Sequence, residues 1–549
     1  MMQDASNPIV ADSDRLREIK STIQRGDVDG AIRLARAALE AGQRHPLLFN
    51  LRALWLEREG RDEEALADLA LAVSLAPEDP IVRNAYGLCL EKHDRLEEAL
   101  AAYRAATDLN AGFAPAFFNL GRALEGAGEL IAAEAAFERV AALDPRSAEP
   151  LGRLAMIASR RGDWPRARAY TLRTLAIDPN QPLAKRAMIA ADMEVRDYPG
   201  AEAKIDALLA DPRLGPFERR LAYGLRADLR HAQHRYPDAF AAYAESNRCA
   251  QVADGGKVAK GRTGLDAARW TEAYFSTASR WEPVGTPPIR TPDEPVIHAF
   301  LMGFPRSGTT LLEQVLASHP SVVSLEEKET LVDSALLFMT GSSGLDRLRR
   351  LGHGQRDELR QAYWNRVRAH GIEPSEKTLI DKLPFNALKL PIITRLFPEA
   401  KILFALRDPR DVVLSCFRQQ FRVAPYTIDL LDTERGATFY AAYMSAAMLC
   451  LEKLPLDVHF TRHEDLVDDF DRRTREICDF IGLDWSADMR NFTQGPHLQT
   501  HAIATPSALQ VAKGLNRSGF GTWRRYKDQL AAALPILRPW VERFGYSEE

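Results

Sequence analysis

The densest chemistry in this 549-residue chain lies in the run Gly303-Phe304-Pro305-Arg306-Ser307-Gly308-Thr309-Thr310. Two glycines in GxxxxG spacing precede a pair of hydroxyl residues. The run separates an apolar strand-like stretch, VIHAFLMGF, from a helix-like one, TTLLEQVLASH. A loop that ends a strand and opens a helix points its backbone N–H groups at one spot. It also sets that spot at the positive end of the helix dipole, which suits a phosphate or sulfate. A nucleotide-hydrolysing loop of this spacing carries Lys after the second Gly. Here that position is Thr309, and no acidic Mg²⁺ ligand is evident at the end of a later strand. Arg306 is a cation inside the loop itself. Residues 305–310 (Pro305, Arg306, Ser307, Gly308, Thr309 and Thr310) are therefore expected to hold an oxyanion without ATP hydrolysis.

The string PRSGTTLLEQVLASHP, followed by Glu326-Glu327, resembles the sulfotransferase signature, most closely that of the tyrosylprotein sulfotransferases. The resemblance covers roughly residues 295–530. It implies an α/β fold related to the nucleotide kinases, 3′-phosphoadenosine 5′-phosphosulfate (PAPS) as co-substrate, and no metal in catalysis. It implies that Arg306 and its loop grip the 5′-phosphosulfate. In LFALRDPRDVVLS, Arg407 and Ser415 match the pair that holds the 3′-phosphate. A guanidinium fork and a helix-start hydroxyl are chemically apt for that task. Lys382, in IDKLPFNALK, matches the family's catalytic lysine, where a cation would stabilise charge on the leaving phosphate. Glu327 matches the general base that removes the acceptor proton. The rival reading of the acidic run EEKET is a helix start, and Glu326 is the alternative base. Near the end, TPSALQVAKGLNRSGFGTWRRY resembles the family's nucleotide-covering segment. There Ser507 matches a serine that supports the transition state, and Gln510, Val511, Lys513, Asn516 and Trp523 fall at binding positions. His463 stands where the family has a Tyr against the adenine. Gln419 replaces a second arginine, with Arg418 beside it, and Thr522 replaces a lysine, with Arg524 and Arg525 close by. Glu329 and Asp333 occupy positions at which the tyrosylprotein enzymes read acidic peptides with arginines. That reversal is expected to repel an acidic acceptor.

These residues need a sheet to carry them. VIHAFLMGF and AKILFALRD read as buried strands alternating with helices, which predicts a P-loop-like α/β domain with a parallel sheet over residues 295–549. Before it, residues 251–294 are rich in Gly and Pro, with one helix expected in LDAARWTEAYFSTASRW. Residues 12–250 repeat at a period of 34. Ala31, Ala65, Ala99, Ala133, Ala167 and Ala201 recur in step. Gly26, Gly60, Gly128 and Gly162 precede several of them by five, with Asp94 and Arg196 in the slots between. Pro77, Pro145 and Pro179 close units. This is the tetratricopeptide pattern, so an N-terminal all-α superhelix is expected, with RRLAYGLRADLRHAQHRYPDAFAAYAESN as its cap. Such an array predicts a protein partner or peptide acceptor on its concave face. A plain scaffold or a homodimer platform is the simpler alternative.

Composition closes off other classes. Basic residues number 72 and acidic residues 76, so no basic excess points to nucleic acid. No apolar run is long enough to span a membrane, and the start lacks the order of a signal peptide. Five scattered cysteines without CxxC spacing argue against a disulfide framework and a structural zinc site, so a cytoplasmic setting is expected. His459/His463, His497/His501 and His231/His234 have helical spacing but no third ligand, so no metal is expected. The reading is a sulfotransferase that moves a sulfuryl group from PAPS to a hydroxyl of a protein tyrosine, a saccharide or a small phenol. A nucleotide kinase and a non-catalytic tetratricopeptide adaptor are the rival classes.

Overall fold

A computed structural model of the chain describes residues 8–93, 95–258, 261–285, 290–341, 343–493 and 514–547. Two compact units divide it. The first comprises Met1–Ala158 with Asp163–Ala184, and the second Ser159–Gly162 with Lys185–Glu549.

The first unit is all helix, in pairs that follow the 34-residue period, such as Pro46–Arg58 with Asp62–Leu75 and Pro80–Lys92 with Leu96–Leu109. The periodic alanines are the contact points. Ala31, Ala65, Ala99 and Ala133 have no exposed surface, because a larger side chain would push the paired helices apart. A second contact repeats in register. A Cβ added at Gly87 would lie 2.6 Å from the Tyr103 ring, and one at Gly121 would lie 2.9 Å from the Phe137 ring. The turn glycines Gly26, Gly60, Gly128 and Gly162 have φ of +79°, +71°, +83° and +74°, a region costly for residues with a Cβ.

The second unit is built on a five-stranded sheet. Its strands are β1 (Ile297–Gly303), β2 (Val322–Glu326), β3 (Thr378–Lys382), β4 (Lys401–Leu406) and β5 (Asp457–Arg462). Their order is β2-β3-β1-β4-β5 and every pairing is parallel. The three inner strands are almost wholly buried, whereas β5, at an edge, is mostly half-buried or exposed, with Thr461 buried. The helix Thr309–Ala317 follows β1 and is buried on nearly every side. Strand order reverses at β1, and in such open sheets ligands bind in the crevice outside the carboxyl ends of the strands.

Further helices of the second unit pack around this sheet. The pair Pro216–Ala232 and Tyr236–Val258, read as the cap of the repeats, lies in the second unit. Arg220 donates to the carbonyl of Phe421. Asn247 donates to the carbonyls of Phe417 at 2.9 Å and Leu431 at 3.1 Å. Phe240 stacks on Phe417 with ring centres 4.6 Å apart. The expected helix in the Gly/Pro-rich stretch is Gly264–Thr277, started by a reciprocal cap between Thr263 and Asp266. Gly264 meets the Phe439 ring on the long helix Thr433–Lys453.

Candidate functional site

The carboxyl ends of all five strands converge on one crevice. Gly303 ends β1 and begins the loop, Glu327 follows β2, Lys382 ends β3, Arg407 follows β4, and His463 follows β5. A cavity of about 770 Å³ lies there. Pro305, Arg306, Gly308, Thr309, Thr310, Glu327, Arg407, Ser415, His463 and Asn516 line it, so most of the residues singled out in the sequence meet in one place.

The loop needs its glycines. Gly303 has φ +156°, and a Cβ there would lie 2.5 Å from the Ala405 carbonyl on β4. Gly308 has φ +94°, and a Cβ there would lie 2.6 Å from Nδ1 of His463. Between them Arg306 takes φ +70°, a strained conformation for a residue with a Cβ, of the kind that persists where the surroundings over-determine it. The strain aims the guanidinium inward, where Nε donates to Oγ of Ser415 at 3.0 Å. Burial, the largest influence, and nearby Arg407 pull the Arg306 pKa down to about 10, so it stays charged at neutral pH. Ser307 is not on the cavity wall. Its side chain is buried, and its N–H donates to the Phe304 carbonyl at 3.1 Å within the loop.

Arg407 clamps the loop to the C-terminal segment. It donates through Nη1 to the Arg306 carbonyl at 3.2 Å and through Nη2 to the Gly519 carbonyl at 2.7 Å. Its Nε is buried with no hydrogen-bond partner among the described residues, as is Nδ1 of His463. Burial, followed by Arg407 and Arg306, drives the His463 pKa down to about 3, so its ring is neutral. The ring also meets Phe520 edge-on at 5.6 Å. The unmet Nε–H of Arg407 beside the Arg306 guanidinium fits an oxyanion.

Asp411 fastens the same C-terminal segment, accepting from the N–H of Gly521 at 2.7 Å and of Trp523 at 2.8 Å. Trp523 is buried under the Arg410 guanidinium, 3.9 Å from its ring centre, and does not line the cavity. Asn516 does line it, with its own side chain closing a turn with Ser518. Ser507, Gln510, Val511 and Lys513 lie outside the described residues.

Lys382 has no exposed surface and does not line the cavity. Its Nζ lies 2.8 Å from Glu327, 3.1 Å from Glu313 and 3.9 Å from Glu326. Burial opposes its charge, yet the carboxylates of Glu313, Glu327 and Glu326 outweigh burial and hold its pKa above the ordinary lysine value. Glu327 is not at a helix start. It sits at φ +49° just beyond β2, its N–H bonded to the Lys382 carbonyl at 2.7 Å, and its side chain is 39% exposed. The candidate base therefore faces the cavity and touches the candidate catalytic lysine.

Several wall residues escaped the sequence reading. The helix Pro216–Ala232 contributes Leu221, Leu225, Asp228 and His231. Asp228 accepts from the Tyr243 hydroxyl at 2.6 Å, and Arg418 donates to that same hydroxyl at 3.2 Å. Glu313 was also missed, although one acidic residue in the apolar run TTLLEQVLA was a signal. The acidic positions near the base are compensated. Lys389 is bonded to Glu329, and Arg366 donates to Asp333 at 2.7 and 2.8 Å.

Residues 299–487 match the family model described as Sulfotransferase family, and residues 16–80, 70–112 and 124–191 match Tetratricopeptide repeat models. The chain carries a sulfotransferase-family domain after tetratricopeptide repeats. It is 27% identical over 292 residues to Protein-tyrosine sulfotransferase 1 of Danio rerio, covering 50% of this chain and 78% of that one. It is 32% identical over 174 residues to Protein-tyrosine sulfotransferase 1 of Homo sapiens, covering 31% and 42%. An uncharacterized protein of Aquifex aeolicus is 27% identical over 248 residues, 44% of this chain, and the match spans about a third (32%) of that longer relative. A tetratricopeptide repeat protein from Parabacteroides merdae aligns with 43% of this chain at 16% identity and a TM-score of 0.34. These sequence relationships support sulfuryl transfer as the chemistry of the domain. Among the described residues, no helix is long and apolar enough to cross a membrane.

Proposed function

We propose that the chain transfers the sulfuryl group of PAPS to an acceptor hydroxyl, and that the repeats recruit a protein that carries or presents the acceptor. The observation that carries the reading is the junction of two buried guanidinium groups, Arg306 and Arg407, with the Glu327–Lys382 pair at the strand ends. Arg306, the loop amides and the start of the helix Thr309–Ala317 hold the sulfate end of the donor. Arg407 and Ser415 hold the 3′-phosphate, and His463 and Asn516 line the remainder of the nucleotide site. PAPS supplies an activated sulfur attached through a phosphate oxygen. Glu327 takes the hydroxyl proton as the acceptor oxygen bonds to sulfur. The S–O bond to the phosphate breaks, and its electron pair leaves with adenosine 3′,5′-bisphosphate. Lys382, freed from Glu327 as the proton arrives, offsets the charge on that phosphate.

A tyrosine hydroxyl is the acceptor favoured by the names of the relatives. Glu329 is paired with Lys389 and Asp333 with Arg366, which offsets part of the repulsion expected from the sequence. The test is incubation of the purified chain with radiolabelled PAPS and tyrosine-containing peptides, saccharides or phenols, alongside Glu327→Gln. Label should pass to one acceptor class, and the variant should lose about 10²–10⁴-fold in rate while still binding adenosine 3′,5′-bisphosphate. Equal transfer by both proteins would show that Glu327 is not the base, and no transfer to any class would defeat the reading.

A further inference from the structure

Three carboxylates surround Lys382, and the proposed reaction uses only one of them. Glu327 reaches the cavity, whereas Glu313 and Lys382 are completely buried. When Glu327 turns to a hydroxyl it must give up its 2.8 Å contact with the ammonium. A buried ammonium without a counter-ion is costly, and the side chain would lose either its charge or its place. Glu313 stands where it prevents this. It lies within the helix that opens at the sulfate-binding loop. Its Oε2 is 3.1 Å from the lysine Nζ, and its Oε1 accepts from the Ser324 hydroxyl on β2 at 2.5 Å. Glu326 is farther away at 3.9 Å.

We infer that Glu313 is the fixed counter-ion of Lys382, a positioning residue that holds the ammonium in place while Glu327 leaves it to take the acceptor proton. The inference rests on the sulfuryl-transfer reading above. It also explains why a carboxylate is tolerated at a fully buried position between Leu312 and Gln314. The groups that face Glu313 are Lys382 from β3 and Ser324 and Glu326 from β2. Burial raises the Glu313 pKa to about 8 against the pull of Lys382, so the hold on the lysine strengthens as pH rises through about 8 and weakens below it.

The experiment compares Glu313→Gln, Glu313→Asp and Ser324→Ala with the wild type in steady-state transfer from labelled PAPS. Binding of adenosine 3′,5′-bisphosphate is followed by calorimetry as the check on folding. Glu313→Gln should lower kcat about 10–100-fold with little change in donor KM or in bisphosphate affinity. Its kcat should also lose a pH-dependent rise that the wild type shows. Glu313→Asp should recover part of the rate, and Ser324→Ala should lose several-fold through a loosened carboxylate. Wild-type kcat and pH profile in Glu313→Gln would overturn the inference. If that variant does not fold, an unaltered kcat in Ser324→Ala would overturn it instead, and a lowered kcat at unchanged KM would support it. A wild-type protein that binds the bisphosphate but transfers nothing refutes the underlying reading, and the inference falls with it.

Discussion

Replacing Arg407 with Ala tests whether the cavity reads a second phosphate. The side chain already spends Nη1 and Nη2 on the Arg306 and Gly519 carbonyls, and its buried Nε has no partner among the described residues. A ribose 3′-phosphate arriving there would accept two charge-assisted hydrogen bonds at about 2 kcal/mol each, so their loss costs about 4 kcal/mol. That is about a thousandfold in Kd. Arg306 and Gly519 both line the cavity, so water should take the place of the guanidinium at their carbonyls and the apo protein should remain folded. Calorimetric titration with adenosine 3′,5′-bisphosphate and with AMP separates the roles. Arg407→Ala should weaken the bisphosphate about a thousandfold and AMP several-fold at most. Equal weakening of both would mean that Arg407 only ties the loop to the C-terminal segment. Unchanged bisphosphate binding would refute the assignment outright.

The other predictions are smaller in scope. Gly308→Ala sets a Cβ at φ +94° against Nδ1 of His463; it should weaken bisphosphate binding at least tenfold by calorimetry, and a second change, His463→Ala, should recover part but not all of this, because the backbone strain remains. Arg196 occupies a glycine slot of the repeat pattern at φ +61°, so Arg196→Gly should raise stability by about 1 kcal/mol in urea unfolding. Burial lifts the Asp411 carboxyl to about 6, against the opposing pull of Arg407. The native chain thus holds a proton there at pH values where the unfolded chain, near 4, does not. This group's contribution should make the fold more stable as pH falls from about 6 towards 4, with no change above 6. Melting curves of the wild type and Asp411→Asn should differ in slope over that window and run parallel above it.

Much of this arrangement was legible in the residues because it is local. The 34-residue period names the alanines that end up without exposed surface. The loop glycines announce themselves by spacing, and β1 and β4 are apolar enough to be read as buried strands. What stayed hidden is set by distant partners. β2 and β5 are short edge strands whose sequences, VVSLE and DVHFTR, are not continuously apolar. EEKET looks like a helix start, yet the register of β2 with β3 makes Glu327 a left-handed turn beside Lys382. The expected repulsion at Glu329 and Asp333 overlooked Lys389 and Arg366, which are 60 and 33 residues away in sequence. The helices of 216–258 read as one more repeat, because a helix face that packs on a repeat and one that packs beside a sheet are equally apolar.

That last resemblance bears on how such proteins can be cut and rejoined. The side chains of Arg220 and Asn247 cap backbone carbonyls at Phe417, Phe421 and Leu431, and the same two helices bring Asp228 and His231 from the first and Tyr243 from the second to the cavity. A recombination joint at residue 295 would part the sheet from helices that line the cavity at its strand ends and bare those carbonyls. The second compact unit resumes at Lys185, so a joint placed there leaves both helices, and the carbonyls they cap, on the same side of the cut.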